Sequence, residues 1–123
     1  MTRAAPPPVP TAVPPAVPTA VPLCIPAWML LCGEQRFDHI ADLRAPEAYA
    51  RGHLAGARCV PYEVFQIEAL ALFPVEDSVL VVDPGGARAA DFAVFLRRRG
   101  QVASYLEGGY AAWTGPLTVG AAP

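Results

Sequence analysis

Residues 78–88 read SVLVVDPGGAR. Four consecutive apolar residues, Val79 to Val82, suit a strand covered on both faces, because a strand with one wet face alternates apolar and polar positions. The next four, Asp83, Pro84, Gly85 and Gly86, are turn chemistry: Asp accepts a local amide hydrogen bond, Pro presets φ, and the glycines permit a tightly curved backbone. Arg88 to Arg98 then places Ala89, Phe92, Phe95 and Leu96 on one side of a helix that stops at Gly100. A buried strand running through a tight turn into an amphipathic helix is the unit from which α/β domains with a largely parallel sheet are built.

The pattern repeats outward. Upstream, Phe37 to Leu43 reads as a strand, Pro46 to Ala50 as a short helix closed by Gly52, and Ala57 to Val60 as a strand ending at Pro61. Val64 to Leu72 carries apolar residues at helical spacing and ends before Pro74. Downstream, Val102 to Tyr105 is a further strand, and Gly109 to Trp113 begins a last helix. Nearest the start, Leu23 to Ile25 reads as a brief strand, with Pro26 at the first turn of a helix through Trp28, Met29, Leu30 and Leu31 that Gly33 stops. Residues 23–115 are thus the expected folded domain, with an extension at 1–22 and a tail at 116–123. From Val9 the extension repeats every four residues, with prolines at 10, 14, 18 and 22. It favours polyproline II, and a four-residue period on a three-residue turn gives its valines no single face. We read it as a tether whose removal leaves the melting temperature nearly unchanged, and its prolines and single Arg3 argue against a signal peptide.

Composition excludes several classes. The chain has 123 residues and a formal charge of -2, with 9 Lys and Arg that are all Arg. Without lysine there is no P-loop nucleotide site, Schiff-base chemistry or kinase, and there is no uniform basic field for nucleic acid. No apolar run is long enough for a bilayer. Cys24, Cys32 and Cys59 lack CxxC spacing, and His39 and His53 lack metal-ligand spacing to them, so no metal and no cofactor are expected. The odd, low cysteine count points to a reducing, cytoplasmic setting. Cys24 and Cys32 read as packing residues.

A strand-to-helix turn at the carboxyl edge of a parallel sheet is where ligands bind. The amides of Asp83, Pro84, Gly85, Gly86, Ala87 and Arg88, together with the helix N-terminus, would make an anion-binding nest, although the same tetrapeptide also serves as an ordinary turn.

Residues 37–57 contain D-x-R (Asp42, Arg44), E-x-Y (Glu47, Tyr49) and G-H-x-x-G-A (Gly52, His53, Gly56, Ala57) elements, and the chain closes with Leu106, Glu107, Gly108, Gly109, Tyr110 and, at 113, Trp. In order and spacing, residues 24–115 resemble the rhodanese homology domain. The resemblance implies a three-layer α/β fold, a five-stranded, largely parallel central sheet flanked by helices, and a six-residue active loop opening with the cysteine that carries sulfur as a persulfide. Here the loop opens with Asp83. A carboxylate forms no persulfide, and its charge would compete with thiosulfate or phosphate for the loop amides. The expected protein is therefore a catalytically inactive rhodanese-like domain, a pseudoenzyme serving association with a protein partner, binding a small inorganic anion at most weakly, with homodimerisation open. Two alternatives stand beside it: a thiosulfate or persulfide sulfurtransferase using Cys59 or a partner's thiol, and a small-anion binding module.

The remaining signature residues, Asp42, Arg44, Glu47, Gly52, His53, Gly56, Gly108, Gly109 and Trp113, read as scaffold. Asp42 would hold loop amides, Arg44 would pair with Glu47 or another acid, His53 would fix its turn, and Trp113 would anchor the last helix. Arg97, Arg98 and Arg99 read as a solvated helix end. Cys59 reads first as a core residue. Asp83→Asn is expected to strengthen sulfate binding roughly five- to thirty-fold if the loop keeps its concave shape.

Overall fold

The computed structural model describes residues 21–120, and the extension at 1–20 and residues 121–123 lie outside it. Five strands, β1 (Cys24–Ile25), β2 (His39–Asp42), β3 (Ala57–Cys59), β4 (Val79–Val82) and β5 (Ala103–Leu106), form one sheet in the order β1-β5-β4-β2-β3. Every pairing is parallel. The crossovers carry α1 (Ala27–Leu31), α2 (Pro46–Arg51), α3 (Phe65–Leu72) and α4 (Ala87–Arg98).

β4 lies between β2 and β5, and all four of its residues are fully buried. Its side chains alternate between two cores. Val79 and Val81 join Phe65, Ala69, Ala89, Ala93 and Leu96 of α3 and α4. Leu80 and Val82 join Ile25, Tyr49, Leu54 and Leu106, against which Met29 and Leu30 of α1 also pack. This explains the continuous apolar run: each face of the strand meets a helix layer, so no position is left for a polar residue.

Element ends differ by a residue or two from the sequence expectation, and four features differ in kind. The last helix is a single 3-10 turn, Gly109–Ala112, which Trp113 leaves in extended conformation. In α3 only Phe65 and Ala69 are buried, while Ile67 and Leu70 are 76% and 58% exposed, because the helix touches the sheet through one narrow edge. Cys32 is exposed rather than packed. The arginines after α4 are not a uniformly solvated end: Arg97 donates to the carbonyls of Ala103 and Val21, and Arg99 donates to the carbonyl of Phe73 and to the buried side chain of Gln101. Carbonyls at strand entries need donors, and these long side chains supply them.

Candidate functional site

The order of the sheet places the carboxyl ends of β2 and β4 side by side, with Asp42 in register with Val82. β2 continues into α2 on one face of the sheet and β4 into α4 on the other, so the two connections part and leave a crevice. A cleft of about 420 Å³ opens there, lined by Leu43, Ala45, Ala48 and Pro84, with Tyr62, Glu63, Arg44, Asp83 and Arg88 completing it. The guanidinium of Arg88 lies 3.7 Å over the ring of Tyr62.

Asp83 governs the loop. It is 4% exposed. Its Oδ1 accepts the Gly86 N–H, and its Oδ2 accepts those of Arg88 and Ala89 at 3.0 and 3.2 Å. The first N–H groups of a helix have no partner within the helix, and in α4 the carboxylate takes two of them, at the end where the helix dipole favours negative charge. Gly86 sits at φ 102°, and a Cβ there would meet the Gly108 nitrogen at 3.3 Å.

The other side of the loop is held by the chain's closing motif. The N–H groups of Tyr110 and Ala111 donate to the carbonyls of Asp83 and Pro84, both at 2.9 Å. Gly109 permits this approach: a Cβ on it would lie 2.2 Å from the Asp83 carbonyl oxygen and 2.8 Å from the Gly85 nitrogen. With carbonyls pinned outward and three amides turned onto the Asp83 carboxylate, the loop is clamped from both sides.

A second network sits beside it. Asp42, fully buried, accepts the Arg44 amide at 3.0 Å and a two-point contact from the Arg44 guanidinium at 3.1 and 2.9 Å. The partner of Arg44 is thus Asp42 rather than Glu47. Arg44 also donates to the Gly52 carbonyl and lies 3.8 Å over the Tyr110 ring. Burial disfavours the Arg44 charge, but hydrogen bonding to Asp42 and the negative charge there outweigh it, so the net direction is upward. The Tyr110 hydroxyl donates to Asp42 at 2.8 Å and accepts the Leu54 N–H. Burial, reinforced by the charge of Asp42, pushes that phenol above its ordinary range. The donors of Arg44 are therefore directed to the protein's own groups.

The structure brings loop residues 83–88 together with Gly108 and Gly109, and sets Asp42 and Arg44 alongside. His53 stacks on Tyr49 with ring centroids 3.8 Å apart, and its Nδ1 meets the Tyr49 carbonyl. A backbone bridge joins His53 to Thr118. Trp113 belongs to the α1 side of the molecule, and Glu47 and Gly56 are exposed. Cys59 pairs in register with Asp42, which puts it two strand spacings, roughly 10 Å, across the sheet from Val82. Its thiol contacts the Arg44 carbonyl at 3.5 Å, and burial, with the charge of Asp42 adding to it, pushes its pKa upward. Sequence reasoning did not single out Tyr62 or Tyr110 as site residues; Tyr110 stood inside the closing motif, whereas nothing around Tyr62 marked it.

Among the described residues, no cluster of three or more His, Cys, Asp or Glu is arranged to hold a metal ion, and no helix is long and apolar enough to cross a membrane. Residues 29–116 match the family model of the rhodanese-like domain. No curated protein matches the chain. Among solved structures, a rhodanese-like domain protein from Staphylococcus aureus is 27% identical with a TM-score of 0.68, covering 78% of this chain and 96% of its own. The rhodanese-like domain of an Anabaena sp. protein is 28% identical with a TM-score of 0.68, covering 80% of each chain. A rhodanese from E. coli, solved with anions, is 26% identical with a TM-score of 0.56, covering 67% of this chain and 98% of its own.

Proposed function

Because the chain belongs to the rhodanese-like domain family, we propose that it is a member without persulfide chemistry of its own, in which Asp83 stands at the position of the family nucleophile and the protein acts by associating with a protein partner. One observation carries this reading: the Asp83 carboxylate occupies the amides of Gly86, Arg88 and Ala89. Sulfur transfer needs a thiolate that attacks a sulfane sulfur, breaks the sulfur–sulfur bond, holds the new persulfide against those amides and passes its outer sulfur to an acceptor. A carboxylate oxygen performs none of these steps. It supplies instead the negative charge that the amides would otherwise stabilise on the sulfur or the incoming anion, so small anions bind at most weakly.

Cys59 is a poor substitute. Its raised pKa lowers the thiolate fraction at neutral pH, and its thiol points to the Arg44 carbonyl. We assign the partner to the surface around the cleft, and a reducing, cytoplasmic setting remains part of this proposal on the odd, low cysteine count.

The test is a thiosulfate-to-cyanide assay on the wild type beside Asp83→Cys. We expect no wild-type turnover above background and no sulfur adduct by mass spectrometry. In Asp83→Cys the new thiol should alkylate rapidly near pH 6, since three N–H groups and a helix N-terminus lower a thiol pKa. Wild-type turnover that disappears in Cys59→Ser would overturn the proposal in favour of an unconventional sulfurtransferase.

A further inference from the structure

A second groove, of about 500 Å³, is lined by Leu30, Leu31, Phe37, Leu54, Trp113 and Pro116. Within this lining Leu31 is a large apolar side chain that is 49% exposed. Gly115 shapes the groove, since a Cβ there would fall 2.5 Å from the Trp113 ring and 2.6 Å from Leu31. The Trp113 indole and Leu31 thus lie where a Cβ at residue 115 would displace them, and Pro116 lines the same depression.

We propose that this groove seats the chain's own proline-rich extension, residues 1–20. The chemistry matches, because aromatic-lined grooves accept polyproline II segments, whose prolines stack on rings and whose preset conformation loses little entropy on docking. In this extension two Pro-x-x-Pro units, Pro7 to Pro10 and Pro15 to Pro18, fall within twelve residues. Although its valines share no single face, this mode of recognition requires only a proline pair on one side of the segment, and it replaces the free tether expected from the sequence with a docked segment whose removal lowers the melting temperature.

The attachment point also fits. The carbonyl of Val21 accepts from Arg97 at 2.7 Å and that of Pro22 accepts from Ser104. β1 then leads directly into α1, whose Leu30 and Leu31 form one wall of the groove. The root of the extension is therefore fixed against the end of α4 and β5, with only β1 between it and α1. Residues 1–20 reach roughly 60 Å at about 3.1 Å per residue, more than the width of a domain of 100 residues. An attached segment meets the groove at an effective concentration of order mM, far above that of a second copy in dilute solution.

Of the chain's two tryptophans, Trp113 lines this groove, and its indole reports directly. The experiment uses the full-length protein and a full-length variant with Pro7→Ser, Pro10→Ser, Pro15→Ser and Pro18→Ser. In the unaltered chain, proline side-chain protons should show cross-peaks to the Trp113 indole protons, and the Trp113 indole N–H resonance should move in the variant. Acrylamide should quench the variant at least twofold more efficiently. Spectra and quenching identical in the two proteins would overturn the proposal. A difference that grows with protein concentration would overturn it as well, since the occupant would then be the extension of another copy.

Discussion

At Asp83 one side chain decides between a vacant cradle and a filled one. Because Oδ1 serves Gly86 and Oδ2 serves both Arg88 and Ala89, either orientation of an asparagine amide would set a donor against donors. Asp83→Asn therefore removes charge but also breaks contacts and still fills the space. Asp83→Ala is the cleaner variant. It leaves three N–H groups without their acceptor and should destabilise the fold by about 3 kcal/mol. Sulfate should restore part of that loss by taking the exposed amides, as a ligand that binds only the folded state must. We expect thermal melts of Asp83→Ala to rise with sulfate at fixed ionic strength while wild type stays flat. An equal response of the two proteins would show that the carboxylate does not occupy an anion site.

At the level of elements, the loop after β4 and the 3-10 turn after β5 form one unit joined by two backbone hydrogen bonds. Gly109 sits at φ 57° with backbone atoms of residues 83–85 inside the space of a side chain. Gly56, at φ 83°, has nothing within 4 Å of its would-be Cβ. Gly56→Ala therefore carries only the left-handed strain of an L-residue, about 1–2 kcal/mol. Gly109→Ala adds overlap that only a shift of the loop can relieve, and its total should exceed about 3 kcal/mol. Urea unfolding of both variants measures the difference, and similar losses would mean that loop and turn are not clamped together. Gly109 is thus explained by backbone approach, a constraint that acts across the sheet, whereas a Cβ on Gly108 would meet the Ala112 side chain at 2.6 Å.

For the whole molecule, the Asp42, Arg44 and Tyr110 network ties β2 to the far end of the chain. Tyr110→Phe keeps the ring under Arg44 but strands the Leu54 N–H and takes from Asp42 Oδ2 one of its two donors, leaving it the Arg44 guanidinium, for a loss of about 2 kcal/mol and a fall in Tm on the order of 10 °C. Its pH dependence has a definite sign. The folded-state pKa is raised by burial and by the charge of Asp42, so the stabilisation is full below the ordinary phenol value near 10. It is lost as pH rises through the higher folded value. Wild type should lose stability above pH 10 more steeply than Tyr110→Phe in matched denaturant titrations. Parallel pH profiles would remove Tyr110 from the alkaline transition.

Much of this was written in local sequence. The run Val79 to Val82 determined a strand buried on both faces, Asp83 to Gly86 determined the turn, and the spacing through Leu96 determined α4, because periodicity and turn chemistry act over a few residues. The location of the loop as the candidate site followed from the rule for parallel sheets. Tertiary structure alone decided what the loop is bonded to. Asp83 has two oxygens and several amides within reach, and only the packing of Gly109 against its carbonyl turns those amides inward. It also decided that Arg44 meets Asp42, that Arg97 and Arg99 bind strand-entry carbonyls, and that Ile67 and Leu70 of α3 face water. The contacts of Arg97 with Val21 and of Arg99 with Phe73 join residues 76 and 26 positions apart. The choice of Asp42 over Glu47 by Arg44 depends on which acid is buried beside it, and the exposure of Ile67 and Leu70 depends on which helix edge meets the sheet; chain-distant geometry leaves no periodic trace in the sequence.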